Sequence, residues 1–134
     1  MRAMRIPLLV ASLLLLGACR GPASLQASDR PLLVHSVYFT LKEDTPERRA
    51  ALVDSCNQLL AKIPGIVALA AGPRDEELTR EVNDLEFDIA LTVVFRDRAA
   101  HDLYQPHVKH QEFIAANLPN IARVRVFDSV SEKR

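Results

Sequence analysis

Residues 32–41, LLVHSVYFTL, alternate from Leu33 onward without a break. Leu33, His35, Val37, Phe39 and Leu41 fall on one side of an extended chain, and Val34, Ser36, Tyr38 and Thr40 on the other. A period of two over this length specifies a strand. One of its faces is wholly apolar except for His35, so a second layer must cover that face.

The next segment changes period. In TPERRAALVDSCNQLLAKI (45–63), Thr45 is an N-cap and Pro46 takes the first helical position. Leu52, Val53, Cys56, Leu59, Leu60 and Ile63 then make a stripe at helical spacing, and Pro64-Gly65 stops the helix. IVALAAG (66–72) reads as a second strand, and the charged run 73–84 as a loop. EFDIALTVVF (86–95) alternates again, with Phe87, Ile89, Leu91, Val93 and Phe95 expected on one face. Asp97 caps a short helix through Tyr104, which Pro106 breaks; a further helix spans roughly His107 to Leu118, and ARVRVFDSV (122–130) is the last strand.

The order is β-α-β-β-α-β, an α+β class with helices gathered on one face of an antiparallel sheet as a two-layer sandwich. The opposite face is also largely apolar at Val34, Tyr38, Ala90 and Val94. One helical layer cannot cover two apolar faces, so a homodimer joined sheet to sheet is expected. Ser36, Tyr38 and Thr40 share that second face, and Asp88 and Asp128 lie on strands where they could pair with Arg123 or Arg125, as weak structural contacts.

The first residues follow other rules. MRAMR is basic, IPLLVASLLLLG is apolar and too short to span a bilayer as a helix, and small residues follow, which is the pattern of a secretory signal. Its end, Leu16-Gly17-Ala18-Cys19, resembles the lipobox of bacterial lipoproteins, in which the cysteine becomes the lipid-modified first residue. Residues 1–18 are therefore expected to be a signal peptide, Cys19 the lipidation point, 19–31 a tether, 32–130 the domain and 131–134 a tail. The expected location is the bacterial envelope, anchored in the membrane outside the cytoplasm. Losing Arg2 and Arg5 would leave the mature chain slightly acidic. Cys56 sits on the apolar stripe and Cys19 in a tail, so no intramolecular disulfide is expected. The whole chain is neutral and has no tryptophan, which argues against nucleic acid as a partner.

VHSVYF on the first strand, PGI after the first helix, FDIALTVVF on the third strand, and YQPHVKHQEF leading to VRVFDSV together resemble the stress-responsive dimeric α/β-barrel (Dabb) family over residues 33–130. The resemblance implies a ferredoxin-like fold and a barrel built by two subunits. It also implies a candidate site, because some plant members are cofactor-free cyclases of linear polyketides. In those enzymes a first-strand histidine and the tyrosine and last histidine of a tyrosine–histidine segment carry catalysis. The matching positions are His35, Tyr104 and His110. This chain departs from the family in having Pro106 before His107, with Val108 where the family often has proline.

On chemical grounds a histidine can take a proton from carbon beside a carbonyl, and a tyrosine hydroxyl or a second imidazole can stabilise the enolate. The same three residues could instead satisfy one another as buried polar groups. A metal reading, His107-x-x-His110 with Glu112 and some help from His101, is the weaker one, and His101 is most simply a surface residue. No cofactor or resident metal is expected. His35, Tyr104 and His110 are expected to converge beneath the proline-broken helix beside a small-molecule pocket, with His107 turned toward solvent.

Overall fold

The computed structural model of the protein describes residues 31–132. The signal segment, Cys19 and all of the tether but its last residue lie outside the described residues. Four strands form one antiparallel sheet: β1 (Leu33–Leu41), β2 (Ile66–Pro73), β3 (Ile89–Phe95) and β4 (Ile121–Val130), in the order β2-β3-β1-β4. β1 is central, paired with β3 on one side and β4 on the other. Three helices, α1 (Pro46–Ser55), α2 (Arg98–Tyr104) and α3 (Val108–Asn117), complete a ferredoxin-like fold.

The alternation of β1 is borne out residue by residue, with its odd-numbered positions buried and its even-numbered ones half-exposed. β3 behaves the same way from Ile89 onward. Their inward side chains meet Leu52, Cys56, Leu60 and Ile63 from the first helical segment, and Ala100, Tyr104 and Phe113 from the second and third. Cys56 is fully buried, and that burial pushes its thiol up to about 12.

Local signals set the ends of these elements. The Thr45 side chain accepts from the Arg48 N–H at the start of α1, and Asp97 accepts from the Ala100 N–H at the start of α2. His107 sits in extended conformation between α2 and α3, where Pro106 prevents one continuous helix. Gly65 turns the chain with φ +95° and approaches α2 closely: a Cβ at this position would lie 2.5 Å from the Ala100 Cβ. The Gly65 carbonyl also accepts from the Arg96 N–H, tying the corner to the start of that helix.

Three details differ from the sequence reading. The expected helix 45–63 is α-helical only to Ser55 and then widens into a π-helical turn, Cys56–Leu60, which keeps both Cys56 and Leu60 on the core side. β3 begins at Ile89 rather than at residue 86, and Phe87 packs edge-on against Tyr38, 5.0 Å between ring centres, on the face opposite the helices. The third difference concerns ion pairs: Arg125 binds Asp84 and Arg123 binds Glu86, both from the loop before β3, while Asp88 accepts from the Leu41 N–H. Neither Asp88 nor Asp128 pairs with these arginines.

The face away from the helices carries Val34, Tyr38, Ala90, Val94 and Phe127, the last 56% exposed. Residues 31–134 are expected to be dimeric through this face. Val94→Asp should dissociate or unfold the dimer, since an unpaired carboxylate in an apolar interface costs several kcal/mol. Light scattering at micromolar concentration checks this, and a stable wild-type monomer would exclude the assembly.

Candidate functional site

β1 delivers His35 to the helix side of the sheet, where only 7% of its surface remains exposed. Burying an imbalance of this kind requires a partner for the ring. Asp128, directly opposite on β4, supplies it: His35 Nδ1 lies 2.6 Å from Asp128 Oδ1. The carboxylate can only accept, so the Nδ1 proton points at it and Nε2 is the ring's free nitrogen.

α2 brings two rings over His35. Tyr104, at its C-terminal end, stands 6.2 Å from His35 between ring centres, and His101, three residues earlier on the same helical face, stands 5.3 Å away. Phe95 packs against both, 5.4 Å from His101 and 5.0 Å from Tyr104. His101 is therefore no surface residue, because its position on the helix points its ring into the cluster. Its Nε2 accepts from the Gln105 side-chain amide at 3.0 Å.

His110, from the first turn of α3, lies 4.3 Å from Tyr104 between ring centres. The three residues expected to converge thus form a continuous row, with Tyr104 between the two imidazoles. His110 Nδ1 donates to the Gln105 carbonyl at 2.9 Å, which fixes the tautomer and leaves Nε2 with its lone pair. Desolvation by burial is the main cause that lowers the His110 pKa below the ordinary histidine value; the Gln105 carbonyl opposes it, while the nearby histidines reinforce it. Burial likewise pushes the Tyr104 hydroxyl well above the usual phenol range, so it remains a proton donor at neutral pH.

The row borders a cavity of about 290 Å3 between sheet and helices. His35, Tyr104, Gln105, His110 and Asn117 are its polar lining, and Phe39, Phe113, Ile114, Leu118, Val124 and Val126 are among its apolar lining. A larger hollow of about 520 Å3 lies on the opposite face, beneath the loop before β3, with Tyr38, Phe87 and Phe127 in its wall. It opens onto the surface expected to meet a second subunit and contains no histidine. His35, Tyr104 and His110 all line the smaller cavity.

His107 and Glu112 are used elsewhere. The His107 ring accepts from the Lys109 N–H as the N-cap of α3, and Glu112 holds the Lys109 ammonium. His107 is half-buried in this role. Among the described residues, the metal-ligating atoms that gather are those of His35, His101 and Asp128.

The family model for the stress responsive A/B barrel domain matches residues 33–131. The chain belongs to this family. A dimeric ferredoxin-like protein from Thermobifida fusca has a similar structure, with TM-score 0.64 and 21% identity over 76% of this chain and 92% of that one. A Dabb-family protein with a ferredoxin-like fold from Mesorhizobium loti has TM-score 0.63 and 20% identity, over 77% of this chain and 99% of that one. The hydroxynitrile lyase of Passiflora edulis has TM-score 0.62 and 15% identity, over 77% and 95% respectively. At such identities the likeness is one of fold. No curated protein matches the sequence.

The His110 environment has a measurable consequence. Its imidazole should titrate below 6.5 when followed by NMR. Because the folded pKa is lowered, this group's contribution to stability is complete above the unfolded value and is lost as pH falls through the folded one. A midpoint above 6.5 would contradict the buried, neutral ring.

Proposed function

We propose that this chain is an envelope lipoprotein whose A/B barrel domain, as a homodimer, binds a small apolar or aromatic molecule in the sheet–helix cavity. The observation that carries the binding reading is the cavity itself: an apolar hollow with Tyr104, His110 and His35 along one wall. A site of this makeup buries a hydrophobic body and orients one polar end. At about 290 Å3, it is at the lower end of the range of small-molecule pockets. The dimer is supported by the uncovered sheet face and by the dimeric description of the Thermobifida fusca relative. The anchor is supported by Leu16-Gly17-Ala18-Cys19 at the end of the apolar run.

An enzymatic form of the same reading is favoured by one feature, the His110 tautomer. A bare Nε2 on a neutral imidazole is a base at neutral pH. A ligand with a proton on carbon beside a carbonyl would give that proton to His110. The Tyr104 hydroxyl would donate to the developing oxyanion, and Asp128 would hold the orientation of His35. The hydroxynitrile lyase among the structural relatives supports catalysis as compatible with this fold.

The test is a thermal-shift screen of small aromatic and alkyl carbonyl compounds against wild type and His110→Ala. Binders should raise the wild-type Tm, and His110→Ala should weaken them at least tenfold, roughly 1.4 kcal/mol. The variant itself should lose less than about 1 kcal/mol of stability, because the Gln111 side chain also donates to the Gln105 carbonyl and keeps it satisfied. If His110→Ala is strongly destabilised and no compound binds wild type, the cluster is structural and the reading fails.

Anchoring is tested separately. Mass spectrometry of the membrane fraction should find an acylated N-terminus at Cys19, and Cys19→Ser should abolish it. A mature N-terminus at any other residue would refute the lipoprotein assignment.

A further inference from the structure

Beyond the cavity, His35 has a second side. Asp128 and His101 flank it there, and neither lines the cavity. One ligating atom from each of His35, His101 and Asp128 lies within 4.8 Å of those of the other two. These residues come from β1, α2 and β4, three elements joined by the sheet and the core. The scaffold therefore fixes their backbones, and only side-chain rotation and a tautomer shift at His35 separate the three donors from a common centre.

We propose that His35, His101 and Asp128 form a binding site for a divalent transition-metal ion of the zinc type. The donor set decides the class of ion. Two imidazole nitrogens and one carboxylate oxygen suit zinc, cobalt, nickel or copper, whereas calcium and magnesium prefer a shell of oxygens. Metal–ligand bonds of about 2.0–2.2 Å to a tetrahedral centre bring donor atoms to roughly 3.3 Å from one another. His35 must first move its proton from Nδ1 to Nε2, so that Nδ1 offers a lone pair; the His35–Asp128 pair, at 2.6 Å, then opens slightly, and His101 closes the remaining gap. The opening and closing are within rotamer adjustment: the Asp128 side chain is 48% exposed, and His101 is held by the flexible Gln105 amide and by a long, 3.4 Å contact with the exposed Asp102 carboxylate, both of which can yield.

The same exposure supplies an entry path. An ion arrives from solvent at the Asp128 carboxylate and meets His35 and His101 behind it. Three protein ligands leave a fourth position for water, the arrangement of an open zinc site rather than a closed structural one. His35 is thus shared, with its other contacts on the cavity wall, while His110 stands apart on the far side of Tyr104. The metal site does not depend on the ligand-binding reading.

The experiment uses the full chain without a histidine tag. Calorimetry with ZnCl2 at neutral pH should give one ion per chain, and CoCl2 should give the visible d–d absorption of low-coordinate cobalt with nitrogen and oxygen ligands. His101→Ala and Asp128→Asn should each weaken binding by tenfold or more, whereas His110→Ala should leave it unchanged. The cobalt spectrum needs no variant, so the test survives if one of them fails to fold. Absence of one-to-one binding to the wild-type chain would overturn the proposal. So would affinity undiminished in both His101→Ala and Asp128→Asn, which would mean that the ion sits elsewhere. Failure of the carbonyl screen together with intact, His101-dependent metal binding would reject the cavity reading alone.

Discussion

Everything in this domain hangs on the pairing of β1 with a neighbour on each side. A central strand has both edges satisfied by the ladder, so its register is fixed twice, once by β3 and once by β4. A slip of one residue would turn Leu33, Val37, Phe39 and Leu41 out of the core and bring Tyr38 into it. The hydrophobic effect therefore holds His35 where it is, although the imidazole itself gains nothing from burial. The strand delivers a polar group to an apolar wall, and the rest of the site is built to accommodate it.

That accommodation accounts for the crowding of polar rings. His35 takes its hydrogen bond from across the sheet at Asp128, while His110 takes its own from the Gln105 main chain. Tyr104 fills the space between them and is itself almost fully buried. Since His35, His101 and His107 all disfavour a charge on His110, the group works against accumulating protons. His110 is thereby held toward its neutral form, the state required of a base.

The fold was legible because its punctuation is local. Pro46, the Pro64-Gly65 pair, Pro106 and Pro119 each mark a boundary through their own backbone restrictions, and two alternating strands carry the period of two. His35, Tyr104 and His110 could be named through the family resemblance, and the structure brings their rings together. The π-helical turn at Cys56 could not be read, since an apolar stripe looks the same with one extra residue per turn. Phe87 was misplaced because alternation gives no signal of where a strand begins. Asp128 as the partner of His35 requires knowledge of the β1–β4 register, which no single segment encodes. His101 was missed although a signal existed: it precedes Tyr104 by three residues, and a helix that buries one of them brings the other to the same face.

The Gly65 corner gives the site a dependence that is not obvious from its own residues. α2 carries both His101 and Tyr104, and it starts against a glycine whose missing side chain leaves room for Ala100. The helix can rest this low on the sheet only because a carbon is absent at Gly65, far upstream in sequence of the rings it positions. Their distances from His35 are thus calibrated by a void rather than by a contact. Sequence change at this corner, outside both cavities, would alter the site by lifting its roof.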